Sequence, residues 1–515
     1  MKQIELIDKR KPREKHFLQE DGTIIAKLYN EDIHYLKDGK YEEIDNTLID
    51  IGNYYINKKN SYKLYFGKDI LNNLMRIEKE KHYINFRLNN SQKFLLNIEK
   101  TSGKYCKKIK YIDLLKNVDF EYNIQPNKVK EDIILKSSLT NLDKIEFILD
   151  TDMKILLNKD KSVDILNGKK TVFKIESPFM VDSAGKTNKN VYYELIKEGF
   201  VYKLNLILDT KWLKSKEITY PVRIDPTITN HSNENSVYDT YIYPGDSNDD
   251  RNNQDILKVG VERVNNQDRI NRALLKFDLP IIGTGSQILS ASVNLVGYPL
   301  DPISYNNWLL EVHQITDEWN EQNANWNNLN NKYKNRVETL FYGRRSSLDS
   351  ENNINAELIT FNITSLVRKW YTDEPNNGIM IKMVNEVYEN GIIPAFFSKN
   401  NHVQGTNPKP LLIIRYYNQN GLENYMSYKK EEFVNGKSYI NNYNGNMTSI
   451  FDLLQTYNNI FPINLNMVYN TNDVILSKDI GYGLGFKLNY HQTIKETIID
   501  EITYLEYVDE DGTLF

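Results

Sequence analysis

Arg272-Ala273-Leu274-Leu275-Lys276-Phe277-Asp278-Leu279-Pro280, followed by Ile288-Leu289-Ser290-Ala291-Ser292-Val293-Asn294-Leu295, sets the architecture of this chain. In the first stretch Ala273, Leu275, Phe277 and Leu279 alternate with Arg272, Lys276 and Asp278, and Leu274 breaks the rule. In the second, Ala291, Val293 and Leu295 alternate with Ser290, Ser292 and Asn294. A period of two places one set on a buried face and the other in solvent, as a sandwich of antiparallel sheets requires. Ile363, Leu366, Val367 and Trp370 instead fall at i, i+3, i+4 and i+7, which predicts a short helix capped by Asn362 and ending before Pro375. Asn377-Gly378 then turns into the strand Ile379-Met380-Ile381-Lys382-Met383, and Leu411 to Tyr416 supplies a last strand. The block is expected to be a jelly-roll-like β-sandwich carrying one short helix.

On its N-terminal side the same logic continues. Ile33 to Leu36 and Lys40 to Ile44 flank Asp38-Gly39, and Val163 to Lys174 turns at Asn167-Gly168, so both read as hairpins. Ile145, Phe147 and Leu149 alternate, as do Leu204, Leu206 and Leu208. The prolines of Tyr220-Pro221-Val222-Arg223-Ile224-Asp225-Pro226 end that unit. Beyond Tyr417 the chain is rich in Asn, Tyr and Gly, with turns expected at Asn435-Gly436 and Asn444-Gly445. The expected organisation is all-β and multidomain, with parts at 1–226, 227–416 and 417–515.

Composition removes several functional classes. The 515 residues carry 65 basic and 69 acidic side chains, interspersed, for a net charge of −4, so no basic surface for nucleic acid is expected. One cysteine, Cys106, excludes an intramolecular disulfide and any zinc site with two thiolates. Met1 to Glu20 lacks the apolar run of a signal peptide, and no stretch approaches the roughly twenty apolar residues of a membrane span. The seven histidines are scattered, neither HExxH nor GxSxG occurs, and Gly481, Gly483 and Gly485 open no βαβ unit, so no enzyme is expected. Paired carboxylates of a glycosidase or lyase could still meet in space.

RALLKFDLP (272–280), ILSASVNL (288–295), the pair Trp319 and Trp326, ITSLVRKWY (363–371) and NNGIMIK (376–382) occur in one order. In that order the central block resembles the bacterial domain named for the motif DNRLRE, a jelly-roll module related to carbohydrate-binding modules. The DNRLRE string itself is absent. GKYEEIDNTL (39–48), NVDFEYNI (117–124), VKEDIIL (129–135) and YPVRIDPTI (220–228) resemble the region preceding this domain in Gram-positive wall-associated proteins of the Rhs/YD-repeat type. GLENYMSY (421–428), NGKSYINNYNGNM (435–447), YGLGFKLNY (482–490) and LEYVDEDGTLF (505–515) resemble the lead-in to the Rhs shell, with Phe486 where relatives often have Trp. The resemblance implies a non-enzymatic attachment region of a surface or secreted protein, extracellular or bound to the cell wall, whose central module binds cell-wall or envelope polysaccharide. In such relatives Tyr-Asp repeats and a C-terminal toxin follow, so a downstream shell and toxin are implied partners. The alternative is a structural capping or docking region that assists assembly or export of such a toxin without binding a glycan.

For sugar binding the candidates are Trp308, Trp319, Trp326 and Tyr371, because a flat aromatic face stacks on the apolar face of a pyranose. Trp370 lies on the helical stripe and is expected in the core. Trp308, after the loop Pro299 to Asn307, is the most open candidate. Asp246, Asn248 and Asp250 have the alternate-residue oxygen spacing of a calcium loop, so a structural calcium is the one cofactor considered. Arg251 and Leu257 stand where an EF-hand needs glycine and glutamate, which excludes that motif and leaves an ordinary solvated loop as the competing reading.

Overall fold

The computed structural model of the protein describes residues 3–19, 23–68, 74–88, 95–99, 107–138, 142–230, 236–246, 256–282, 286–297, 308–343, 347–348, 354–355, 358–372, 374–388, 393–400, 409–417, 421–422, 426–442, 445–456, 463–475, 479–499 and 502–513. Strand makes up about 57% of the chain and helix about 6%, so the fold is all-β, with several separate sheets.

The central sandwich faces two antiparallel sheets across one core. The first sheet runs Ile4–Glu5, Glu14–Leu18, Ile24–Leu28, Leu411–Tyr417, Gln287–Val296, Leu358–Asn362. The second runs Val237–Ile242, Gln267–Phe277, Ile379–Met383, Trp308–Gln314, Thr339–Gly343, and Gly260–Val264 pairs with the first half of Gln267–Phe277. Ala273, Leu275 and Phe277 from one sheet and Ala291, Val293 and Leu295 from the other are buried in the same core, as the alternation requires. Each large apolar side chain enclosed there contributes roughly 1.5–3 kcal/mol relative to exposure.

Leu274, the exception to the alternation, is equally buried, but on the opposite face of its sheet. A second, smaller core covers that face. The helix Thr364–Trp370 packs Leu366 and Val367 into the main core, with Trp370 and Tyr371 against its margin. Its N-cap is Ile363, one residue later than expected, while the Asn362 carboxamide still accepts from the Thr364 amide at 3.0 Å.

The ladders cross the linear divisions of the chain. Ile24–Leu28 pairs with Leu411–Tyr417 in the register Ile24↔Tyr416, so residues 4–28 complete the central sandwich. Lys409 and Glu31 form an ion pair beside this seam. Strands Val222–Asp225 and Ile228–Asn230 both pair with Lys128–Leu135, so the N-terminal sheet continues through Pro226 to Asn230.

Apart from the separate two-stranded hairpin His34–Lys37 with Lys40–Glu43, the remaining N-terminal strands form an eight-stranded and an eleven-stranded sheet around a separate core. Ile145, Phe147, Leu149, Leu204, Leu206 and Leu208 all enter it. Both expected hairpins are present, at His34–Lys37 with Lys40–Glu43 and at Val163–Asn167 with Lys170–Ile175. Beyond Tyr417 lie a five-stranded sheet and the hairpin Thr493–Ile499 with Ile502–Val508. The turn at Asn435-Gly436 joins Tyr428–Phe433 to Gly436–Asn441, whereas Asn444 lies outside the described residues. No helix among the described residues is long and apolar enough to cross a membrane.

Candidate functional site

The outer face of the second sheet of the central sandwich is half roofed and half open, and the boundary between the two regions is built from charged and aromatic side chains. The roof is the segment from Ile315 to Tyr333. Ile315, Trp319, Ala324 and Leu329 close over Ile242, Leu274 and Met380, which explains why Leu274 is apolar at an outward position. Trp319 is 2% exposed, and its indole Nε1 donates to the Asn377 carbonyl at 2.8 Å. The Asn377 carboxamide in turn donates to the Thr316 carbonyl at 2.8 Å. Lys276 donates to the Trp319 carbonyl at 3.0 Å and its ammonium lies 5.6 Å from the indole ring.

Asp246 anchors the other end of the roof. One carboxylate oxygen accepts from the Trp326 amide at 3.1 Å, where the short helix Trp326–Leu329 begins, and the other accepts from the Tyr243 amide at 3.1 Å. The residue therefore stitches a loop to a helix start. Asn248 and Asp250 lie outside the described residues, and no group of three potential metal ligands occurs among the described ones.

At the roof margin Arg272 forms a two-pronged ion pair with Glu386, at 2.7 and 2.6 Å. Its guanidinium lies over Trp326 at 4.9 Å and Tyr333 at 5.7 Å, and also donates to the Asn330 carbonyl. Expected in solvent, Arg272 is thus enclosed, because planar guanidinium can stack on rings while both its charge and its donors are matched. The Tyr333 ring rests 4.8 Å from the His313 ring. His313 Nδ1 donates to the Lys334 carbonyl at 2.9 Å, and its Nε2 lies 3.2 Å from Glu311. Lys382 lies 2.5 Å from the same carboxylate. Burial opposes ionisation of Glu311, but Lys382 and His313 outweigh it and hold the carboxyl below its ordinary range.

Next to this cluster the sheet face is open. The cross-strand pairs Leu309↔Tyr342 and Glu311↔Leu340 put Leu309, Leu340 and Tyr342 on the same side as Glu311, and Tyr342 is 62% exposed. An exposed phenol ring flanked by aliphatic groups can stack on a sugar ring, and the enclosed Glu311–Lys382 pair lies at the edge of that surface.

The sequence candidates distribute unevenly around this face. Trp319 presents no ring to solvent. Trp326 is half-buried beneath Arg272. Tyr371 is on the other side of the core, and its hydroxyl donates to the Pro280 carbonyl at 2.6 Å. Trp308 opens the strand Trp308–Gln314, with its backbone paired to Gly343, but its side chain lies outside the described residues. The structure brings Trp326 together with Arg272 and Tyr333, and a chain of contacts runs on through His313 to Glu311 and Lys382, with Tyr342 on the adjoining edge strand; the sequence placed none of these partners at a site. Only the alternation of Leu340 and Tyr342 carries a signal for them, and it does not distinguish an outer face from an inner one.

Residues 230–416 match the model of carbohydrate-binding module family 96. The chain is 29% identical over 244 residues to tRNA nuclease WapA of Bacillus subtilis (strain 168), covering 44% of this chain and 10% of that protein. It is 28% identical over 244 residues to tRNA3(Ser)-specific nuclease WapA of Bacillus spizizenii, with the same coverage. The wall-associated protein of Geobacillus stearothermophilus is 28% identical over 204 residues, which cover 36% of this chain and 76% of that protein. The match thus spans about a tenth of the length of the WapA relatives, residues 230–416 are similar to a carbohydrate-binding module, and the chain is also similar to a wall-associated protein.

Proposed function

We propose that this chain is a non-enzymatic attachment region of a wall-associated surface or secreted protein, and that its central sandwich binds cell-wall or envelope polysaccharide. The match of residues 230–416 to a carbohydrate-binding module carries the reading. The open face around Tyr342, Leu309 and Leu340, edged by the enclosed Glu311–Lys382 ion pair, supplies a surface of suitable chemistry. The likeness to the DNRLRE-named domain and to the lead-in of Rhs/YD-repeat proteins fits the same reading and extends it. In that extension the flanking β-rich parts present the module at the front of a longer shell-and-toxin protein. Purified full chain applied to a glycan array and to isolated Gram-positive wall polymers tests the proposal. Binding to a defined polysaccharide is expected, and its reduction by Tyr342→Ala would locate it. Absence of binding to every wall polymer would overturn it in favour of a purely structural capping role.

A further inference from the structure

The N-terminal sandwich has a recess that the central module does not explain. Its two sheets end on the same side in unpaired edge strands, Tyr192–Glu198 in one sheet and Lys154–Leu157 in the other. Between them lies a cavity of about 560 Å³, lined by Met153, Lys154, Ile155, Leu195, Lys197 and Tyr202. That volume falls in the range of small-ligand sites, about 300–1,000 Å³.

The lining is chemically divided. Met153, Ile155 and Leu195 form an apolar floor, continuous with the core of this sandwich. Tyr202 forms one wall, paired across the ladder with Lys197, whose ammonium sits 5.5 Å from the phenol ring. Lys154 and Lys197 have no carboxylate partner among the described residues. Neighbouring acids are already engaged: Glu198 with Lys203 at 2.9 Å, and Asp152 with His82 at 2.7 Å. The rim therefore carries two ammonium groups that no carboxylate among the described residues pairs with.

We propose that this recess is a second ligand site, taking a saccharide unit that bears a carboxylate or phosphate. The ring's C–H face packs on Tyr202 and the apolar floor, and its anionic group draws Lys197 off the phenol ring and pairs with Lys197 and Lys154. An added peptide strand fits the edge less well, because Glu194, Lys197 and Glu198 along Tyr192–Glu198 are the kind of charged side chains that block strand addition. The site does not depend on the glycan reading of the central module, since it shares no residue with it.

Calorimetric titration of the full chain with hexagalacturonate, a phosphomannan oligomer and neutral maltohexaose tests the proposal and separates the two anion sources. At least one anionic saccharide should bind, more weakly as salt is raised. The double variant Lys154→Gln/Lys197→Gln should lose about tenfold in affinity, while Lys154→Arg/Lys197→Arg retains most of it. Both lysines are exposed, so an unchanged melting temperature should accompany the loss. The loss caused by Lys154→Gln/Lys197→Gln should be the same size in a Tyr342→Ala background, which assigns it to this recess and not to the central module. Four results would overturn the proposal: no binding of either anionic saccharide, equal binding of maltohexaose, binding indifferent to the Gln variant, or capture of an acidic peptide instead.

Discussion

The indole nitrogen of Trp319 donates a 2.8 Å hydrogen bond to the backbone carbonyl of Asn377. That bond ties the roof over the second sheet of the central sandwich to the turn that begins the strand Ile379–Met383. The ring itself fills the small core around Leu274 and Met380. Trp319→Ala should therefore destabilise the sandwich by about 3–5 kcal/mol, from lost burial plus a cavity. Trp319→Phe keeps most of the volume but leaves the Asn377 carbonyl unpaired, and should cost about 1–3 kcal/mol. Urea denaturation of both variants checks the values; a change below 1 kcal/mol for the alanine variant would mean that the roof is not a packed layer.

The neighbouring residue sets how closely that turn approaches the sheet. Gly378 has φ +80°, and a Cβ there would collide with the Leu275 carbonyl and the Lys276 side chain. Gly378→Ala combines a left-handed backbone with a backbone clash, so a loss of more than about 1 kcal/mol is expected. Thermal unfolding measures it. Gly168→Ala, at φ +61° with open space around it, carries the backbone penalty alone and should lose less.

What could be read from residue order follows from what kind of contact each residue makes. The alternation in 272–279 and 288–295 reports one buried face directly, because strand geometry is local. It misassigned Arg272 and could not explain Leu274, since the layer covering the other face comes from residues 315–333 and its presence is a non-local fact. Ile24 to Leu28 has the pattern of any half-buried strand, and nothing in it names Leu411 to Tyr417 as its partner. The tryptophans stood out by type, and in the structure Trp319 serves packing while an unremarkable tyrosine, Tyr342, holds the open position. Large aromatics bring burial first, so their prominence in a sequence points to a core before it points to a ligand.

Stability should depend on pH through two enclosed carboxyls. Burial pushes Asp239 up to about 7 despite the pull of Lys399, and pushes Glu131 up to about 8, with the Tyr122 hydroxyl at 2.6 Å opposing the rise. Between about pH 4 and these values the folded chain holds protons that the unfolded chain has released. Folding is therefore most favoured below that window, and stability falls as pH rises through 7 and on toward 8, by the order of a few kcal/mol in total. Asp239→Asn preserves an acceptor for the Lys399 amide, 2.6 Å away, and Glu131→Gln preserves one for Tyr122. Melting temperatures recorded from pH 5 to pH 9 should show a shallower decline in each variant and the shallowest in the double variant; an unchanged slope would place the titration elsewhere.

Tyr342 separates recognition from stability. Its ring is 62% exposed on the edge strand Thr339–Gly343, opposite Leu309, so its removal deletes little buried surface and should change stability by less than about 0.5 kcal/mol. If the open face is where polysaccharide lies, the same removal takes away the stacking platform and should weaken binding by about tenfold. Lys382→Met acts differently, because Lys382 pairs with Glu311 and its loss would leave that carboxylate with His313 alone. It should weaken binding and also lower stability by about 1–3 kcal/mol. Titration of a bound wall polymer against both variants, with denaturation run in parallel, distinguishes the cases. Intact affinity in Tyr342→Ala would move the recognition surface away from this face altogether.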